Sequence, residues 1–109
     1  MLKYHHLGIP TTKKMPGERY LEWLHVWVSG YEESNYHIEW MRYEPECTLP
    51  EIVKTIPHIA FEVDNVIEAI QGKKIIIEPN SPSEGVLVAF IEENGAPIEF
   101  IQDKHLHGK

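Results

Sequence analysis

Alternating apolar and polar residues along most of the chain predict a fold made largely of β-strands. The segments with this pattern, or with a run of β-branched and aromatic residues, are 3–9, 25–28, 36–43, 55–63, 75–77, 86–92 and 97–102. Asn94-Gly95 separates the last two segments and is the strongest hairpin signal in the chain. The polar residues 32–35 favour a second hairpin between 25–28 and 36–43.

Helical patterns are confined to two short segments. Pro16 suits a first helical turn, and the apolar residues between it and Leu24 have helical spacing. Asn65 can cap a second helix that ends at Gly72, with Glu68 as its capping-box partner. The segment 45–54 is predicted as a connector between two halves, and 79–85 as a loop rich in Pro, Ser and Gly.

The alternation also assigns strand residues to the two faces of the sheet. In 55–63, the odd-numbered residues from 59 onward form an apolar face for the second helix to cover, so His58 points to the other side. In 3–9, His6 lies opposite the apolar face that contains Leu7. His5 is expected on that apolar face.

A short pattern occurs twice in the chain. The sequence HLGI at 6–9 is echoed by HIAF at 58–61, and IEW at 38–40 is echoed by IEF at 98–100. Internal repetition indicates two related structural modules, each too small to bury a core alone. The second half has the predicted order β-α-β-β-β, and the first half follows the same order in fewer residues.

The spacing between the repeated residues differs between the halves. From His6 to Glu39 the interval is 39 − 6 = 33 positions, whereas from His58 to Glu99 it is 99 − 58 = 41 positions. We therefore expect the first half to lack a strand or most of a hairpin.

Composition restricts the class of protein. The chain has 109 residues, of which 42% are hydrophobic and 25% charged, as in an ordinary globular domain. Its net charge of −7, without a basic run, argues against nucleic acid and anionic membranes as partners. Cys47 is the only cysteine, which excludes an intrachain disulfide framework. Without a signal-peptide pattern or a membrane-spanning apolar run, we expect a reduced, cytoplasmic location.

The candidate metal ligands are His6, Glu39, His58 and Glu99. Taken singly, each His is better explained as a hydrogen-bonded strand residue, and each Glu as a solvent-facing one. Taken together, a pseudo-twofold arrangement of the halves brings all four to one concavity. Two imidazoles and two carboxylates suit zinc, nickel, cobalt, manganese or ferrous iron, with positions open for water or substrate. Calcium and magnesium accept nitrogen ligands poorly.

At these residues the chain resembles the vicinal oxygen chelate superfamily, which contains glyoxalase I, bleomycin and fosfomycin resistance proteins, extradiol dioxygenases and methylmalonyl-CoA epimerase. The resemblance is best in the second half, over the stretch from 58–65 through 98–101, where it is nearest the glyoxalase I type. It implies an α+β fold of paired βαβββ modules, with the first module shortened. One glyoxalase-like domain would then cover 1–109, with module one at about 1–44 and module two at about 55–102.

The resemblance also implies a function. His6, Glu39, His58 and Glu99 correspond to the metal ligands, in a divalent-metal-dependent lyase or isomerase that acts on a small carbonyl substrate. Glu99 or Glu39 would move the proton. Pro10 stands where glutathione-using members carry an Arg, which favours a smaller or different carbonyl substrate. The alternatives are a non-catalytic small-molecule-binding protein on the same fold, like the bleomycin resistance proteins, and a structural module with remnant ligands.

The expected assembly is a homodimer. The chain is small, and a second chain can supply the part of the cavity wall that a shortened first module lacks.

Overall fold

The alternating segments form one curled sheet of eight strands in residues 2–105, the part of the chain that the computed structural model describes. The strands are β1 (Lys3–Pro10), β2 (Arg19–Leu21), β3 (Val26–Ser29), β4 (Ile38–Tyr43), β5 (His58–Glu62), β6 (Lys74–Ser83), β7 (Val86–Glu93) and β8 (Ala96–Asp103). Helical structure in these residues consists of α1 (Glu51–Thr55), α2 (Val66–Ala69) and a 3₁₀ turn (Glu22–Leu24). None of these helices is long and apolar enough to cross a membrane.

The order of the strands shows how the two halves are related. Across the sheet it is β2-β3-β4-β1-β5-β8-β7-β6. β1 pairs in parallel with β4, and β5 pairs in parallel with β8, while β1 and β5 meet antiparallel at the centre. This arrangement confirms the predicted α+β fold of paired glyoxalase-like modules.

The first module is shortened by the loss of a helix and by shorter strands. Its strands β2, β3 and β4 have 3, 4 and 6 residues, whereas β6, β7 and β8 have 10, 8 and 8. The prediction that a strand or hairpin is missing is therefore wrong.

The predicted helix between Pro16 and Leu24 is also wrong, because Tyr20 lies in β2 opposite Trp27 of β3 and the two rings pack 4.6 Å apart. Pairing between strands outweighs a weak helical pattern here.

A polar and aromatic network covers the face of the first module opposite Glu39. Arg42 donates two hydrogen bonds to Glu18, at 2.8 and 2.7 Å, and its guanidinium lies 5.4 Å from the centre of the Trp27 ring. Trp27 and Tyr20 both donate to Glu44, at 3.0 and 2.8 Å. These contacts link β2, β3 and β4 on the sheet face where the second module carries α2.

The second module has a helix-covered apolar core. Val66 and Ile70 pack with Phe100 of β8 and Ala89 of β7, and Phe61 of β5 lies at the edge of this cluster. The apolar face predicted for β5 is thus the one that α2 covers.

The predicted cap of α2 is confirmed, since Asn65 Oδ1 accepts a hydrogen bond from the Glu68 backbone N–H at 3.0 Å. We expect Asn65→Ala to lower the free energy of unfolding by about 1 kcal/mol, because this N–H loses its partner. Urea denaturation followed by circular dichroism measures the change. Asp64→Ala, on the exposed preceding residue, is the control. Equal losses in the two variants would contradict a capping role.

Two elements were not expected from the sequence. The connector contains α1, which buries Val53 and brings Lys54 Nζ to 3.1 Å from the Cys47 carbonyl oxygen. β6 continues through residues 79–83, predicted as loop, with several register shifts against β7. β6 is an edge strand, where prolines and irregular pairing are tolerated.

Candidate metal centre

Three predicted ligands converge at the centre of the sheet, on the face opposite α2. His6 lies on β1, His58 on β5 and Glu99 on β8. The two Nε2 atoms are 3.2 Å apart, and Glu99 Oε1 lies 3.4 Å from His6 Nε2 and 3.2 Å from His58 Nε2. Both imidazoles are buried and the carboxylate is nearly so. The structure thus gathers ligands from both modules within one chain.

Glu39, the fourth predicted ligand, lies at the edge of this triad. Its Oε1 is 3.7 Å from His6 Nε2, and 20% of its side chain is exposed. Burial raises the pKa of Glu39, although His6 acts in the opposite direction. Glu39 also lines a cleft of about 190 Å³ together with Arg19, Ser29 and Tyr31. It therefore separates the buried triad from the cleft.

The spacing and chemistry of the triad fit a divalent transition metal. Metal–nitrogen and metal–oxygen bonds of about 2.0–2.2 Å place neighbouring ligand atoms roughly 3.0–3.5 Å apart in tetrahedral or octahedral sites. The three separations of 3.2, 3.2 and 3.4 Å lie within this range. Two imidazoles and one carboxylate are a donor set that zinc, iron, cobalt, nickel and manganese accept. His6, His58 and Glu99 would hold the ion, and Glu39 is close enough to join them.

The buried carboxylate is kept ionised by its two imidazole neighbours. Burial by itself raises the pKa of Glu99, but hydrogen bonds from His58 and His6 outweigh burial and hold the pKa at about 2. Burial lowers the pKa of His6, yet Glu99 and Glu39 together raise it. The Glu99 carboxylate is therefore ionised at neutral pH and can serve as a ligand for a cation.

The strand register explains why residues distant in the sequence meet here. Gly8 lies opposite His58 in the antiparallel β1–β5 pair and beside Glu39 in the parallel β1–β4 pair. In the second module, Ala60 lies opposite His6 in the antiparallel β1–β5 pair and beside Glu99 in the parallel β5–β8 pair. Glycine is required at position 8, because a Cβ there would overlap the imidazole of His58 at Cε1.

His5 also reaches the site, and its prediction was wrong. The register of β1 against β5 shifts between Tyr4 and His6, so His5 occupies a bulge. Its Nδ1 lies 2.8 Å from His6 Nδ1, and its ring stacks on Tyr31 at 5.4 Å with an interplanar angle of 16°. Burial, and then the charge of His6, lower the pKa of His5. Strict alternation assigned His5 to the apolar face, and nothing in the sequence marks the bulge.

Tyr31 is a further aromatic residue at the edge of the site. It follows Gly30, whose φ of 93° turns the chain back after β3. The Tyr31 ring then meets His5, His6 and His37, with centroids 5.4, 6.0 and 4.8 Å away. His37 is exposed and packs on the Tyr31 ring.

Comparisons with known proteins support the architecture. No protein-family model matches the sequence, and no curated protein matches it. A hypothetical protein from Bacillus halodurans C-125 has a similar structure, with a TM-score of 0.69 and 26% identity over 94% of this chain and 95% of that chain. Methylmalonyl-CoA epimerase from Mycobacterium tuberculosis is also similar, with a TM-score of 0.64 and 14% identity over 98% of this chain and 92% of that chain. The epimerase match shows that this chain shares the fold of that protein.

Proposed function

We propose that this protein is a divalent-metal-dependent lyase or isomerase of the glyoxalase type, which moves a proton on carbon next to a carbonyl. The observation that carries the proposal is the buried triad of His6, His58 and Glu99, with ligand atoms 3.2–3.4 Å apart. A divalent ion, when bound, supplies a Lewis acid for the vicinal oxygens of the substrate. The epimerase among the similar structures supports an isomerase-like reaction.

Of the two carboxylates, Glu39 is better placed to move the proton. Glu99 is enclosed by two imidazoles at 3.4 and 3.2 Å and is 12% exposed, so it is committed to holding the centre together. Glu39 is nearer the surface and lines the cleft, where a substrate carbon can approach it. The Glu39 carboxylate would take the proton from one carbon and return it to the neighbouring carbon, so the reaction is an isomerisation.

The cleft beside Glu39 suits a small substrate. Its volume of about 190 Å³ is below the range of about 300–1,000 Å³ typical of sites for drug-sized ligands. The small volume favours a compact carbonyl compound as the substrate.

Titration of the metal-free protein with Zn²⁺, Ni²⁺, Co²⁺ and Mn²⁺ by calorimetry is the first test. We expect stoichiometric binding of at least one ion. A wild-type protein that binds none of them contradicts the proposal. If an ion binds, proton exchange is then followed by NMR in D₂O with hydroxyacetone as the probe.

Glu39→Gln is expected to slow metal-dependent exchange of the hydroxyacetone protons by about 100-fold or more, because the amide cannot accept the proton. Stoichiometric metal binding is expected to persist, since the triad is unchanged. Glu33→Gln, on an exposed residue of the same cleft, is the matched control and is expected to exchange like the wild type. Equal rates in wild type and Glu39→Gln would remove Glu39 from the reaction. Metal binding without exchange, together with tight binding of an aromatic ligand, would select the non-catalytic alternative.

The assembly and location belong to the same proposal. We expect a cytoplasmic homodimer, with a mass in light scattering of twice 12.7 kDa. The triad itself comes from one chain, so the dimer is not needed to complete the ligand set. A monomeric mass at micromolar concentration would contradict the dimer and leave the metal centre intact.

A further inference from the structure

The metal-centre histidines differ in what their second ring nitrogen contacts. His58 Nδ1 is buried without a hydrogen-bond partner among residues 2–105. His6 Nδ1 lies 2.8 Å from His5 Nδ1. The two modules are otherwise equivalent in register around these residues. Only the first module has a bulge here, and the bulge is what turns His5 toward His6.

Two nitrogen atoms 2.8 Å apart share a single proton, so one of them donates and the other accepts. His6 Nε2 faces His58 and Glu99, and a ligand nitrogen must present its lone pair to the ion. With an ion bound, the ring proton of His6 would therefore be on Nδ1, which would donate to His5 Nδ1. His5 would consequently carry its own proton on Nε2. Ligand histidines commonly use their second nitrogen in this way, with a carboxylate or carbonyl as acceptor.

The His5 ring, which accepts this hydrogen bond, is itself held in place. The His5 ring stacks on Tyr31 at an interplanar angle of 16°, and His37 packs on Tyr31 with ring centres 4.8 Å apart. Tyr31 also meets the edge of His6, at 6.0 Å. The stack limits rotation of the His5 ring and so fixes the direction of its Nδ1 lone pair.

We propose that His5 is a positioning residue of the metal centre, whose Nδ1 accepts the Nδ1–H of His6 and thereby directs His6 Nε2 toward His58 and Glu99. The inference rests on the proposed metal-dependent function. It assigns His5 no contact with the ion or substrate. Loss of such a hydrogen bond typically weakens metal binding by about 10–100-fold.

Two substitutions separate the hydrogen bond from the ring packing. His5→Asn keeps an acceptor, Oδ1, at the position of Nδ1 but removes the ring. His5→Phe keeps a ring to stack on Tyr31 but removes the acceptor. We expect the Zn²⁺ affinity of the full chain to fall about 10–100-fold in His5→Phe and to stay within about 3-fold of wild type in His5→Asn. Tyr36→Phe, on an exposed residue outside this stack, is the control and is expected to bind like wild type.

The opposite order of affinities, with His5→Asn weak and His5→Phe normal, would show that only ring packing matters and would overturn the proposal. Equal affinities in all three proteins would also overturn it while leaving the metal centre established. If the wild type binds none of Zn²⁺, Ni²⁺, Co²⁺ and Mn²⁺, the metal function and the role of His5 both fall. Nitrogen-15 spectra of the Zn²⁺-loaded protein give a readout that does not depend on affinity. A proton found on His6 Nδ1 supports the inference, and a proton on His5 Nδ1 contradicts it.

Discussion

Glu99→Gln is expected to weaken binding of a divalent ion by more than about 100-fold. Loss of a residue that only hydrogen-bonds to a metal ligand lowers metal affinity by about 10–100-fold, and Glu99 is itself a proposed ligand. The substitution keeps the size of the side chain but removes the only negative charge within the triad. Glu99 Oε1 lies 3.4 and 3.2 Å from the two Nε2 atoms, so the oxygen at this position is central to the site. A neutral amide also brings an N–H₂ group, which repels a cation if it turns toward the imidazoles.

A competition titration against a zinc-binding dye measures this loss. Glu93→Gln, on an exposed residue of β7, makes the same charge change away from the centre and is the control. His58→Ala is expected to lose binding as Glu99→Gln does, since it removes another ligand of the same triad. Wild-type affinity in both variants would place the ion elsewhere in the molecule.

The triad was predictable because its residues lie in regular strands. Alternation along β5 assigned His58 to the face opposite Phe61, and the structure places Phe61 in the cluster under α2. The repetition of the pattern then paired His58 with His6 and predicted that Glu99 would lie near both. These inferences need only local periodicity and the assumption that repeats fold alike.

The remaining features depend on contacts between residues distant in the sequence. The bulge that carries His5 is defined by the register of β1 against β5, which lies more than 50 residues away. Likewise, β2 forms because Tyr20 and Trp27 meet across a strand pair, although the local spacing favours a helix. The distance of Glu39 from the triad depends on how β4 lies beside β1, and the spacing of apolar residues along the sequence does not determine that distance.

Gly8→Ala is expected to weaken metal binding about as much as the loss of a ligand, although it changes no ligand. The His58 ring lies directly over Gly8, and an added Cβ would be 2.6 Å from Nδ1 and 2.8 Å from Nε2. The ring cannot withdraw easily, because His58 is 2% exposed and packs against Phe90 with ring centres 5.1 Å apart. A displaced Nε2 would no longer complete the triad.

Ala60→Gly is the matched control for Gly8→Ala, because Ala60 holds the equivalent position opposite His6. This variant removes a buried methyl group, so its free energy of unfolding is expected to fall by about 1 kcal/mol while its metal affinity changes little. Dye competition and urea denaturation of both variants separate the two effects. Loss of affinity in Gly8→Ala alone would establish that the ring position of His58 determines binding. Normal affinity in Gly8→Ala would mean that His58 reorients without cost, and the geometry of the triad would then not explain metal binding.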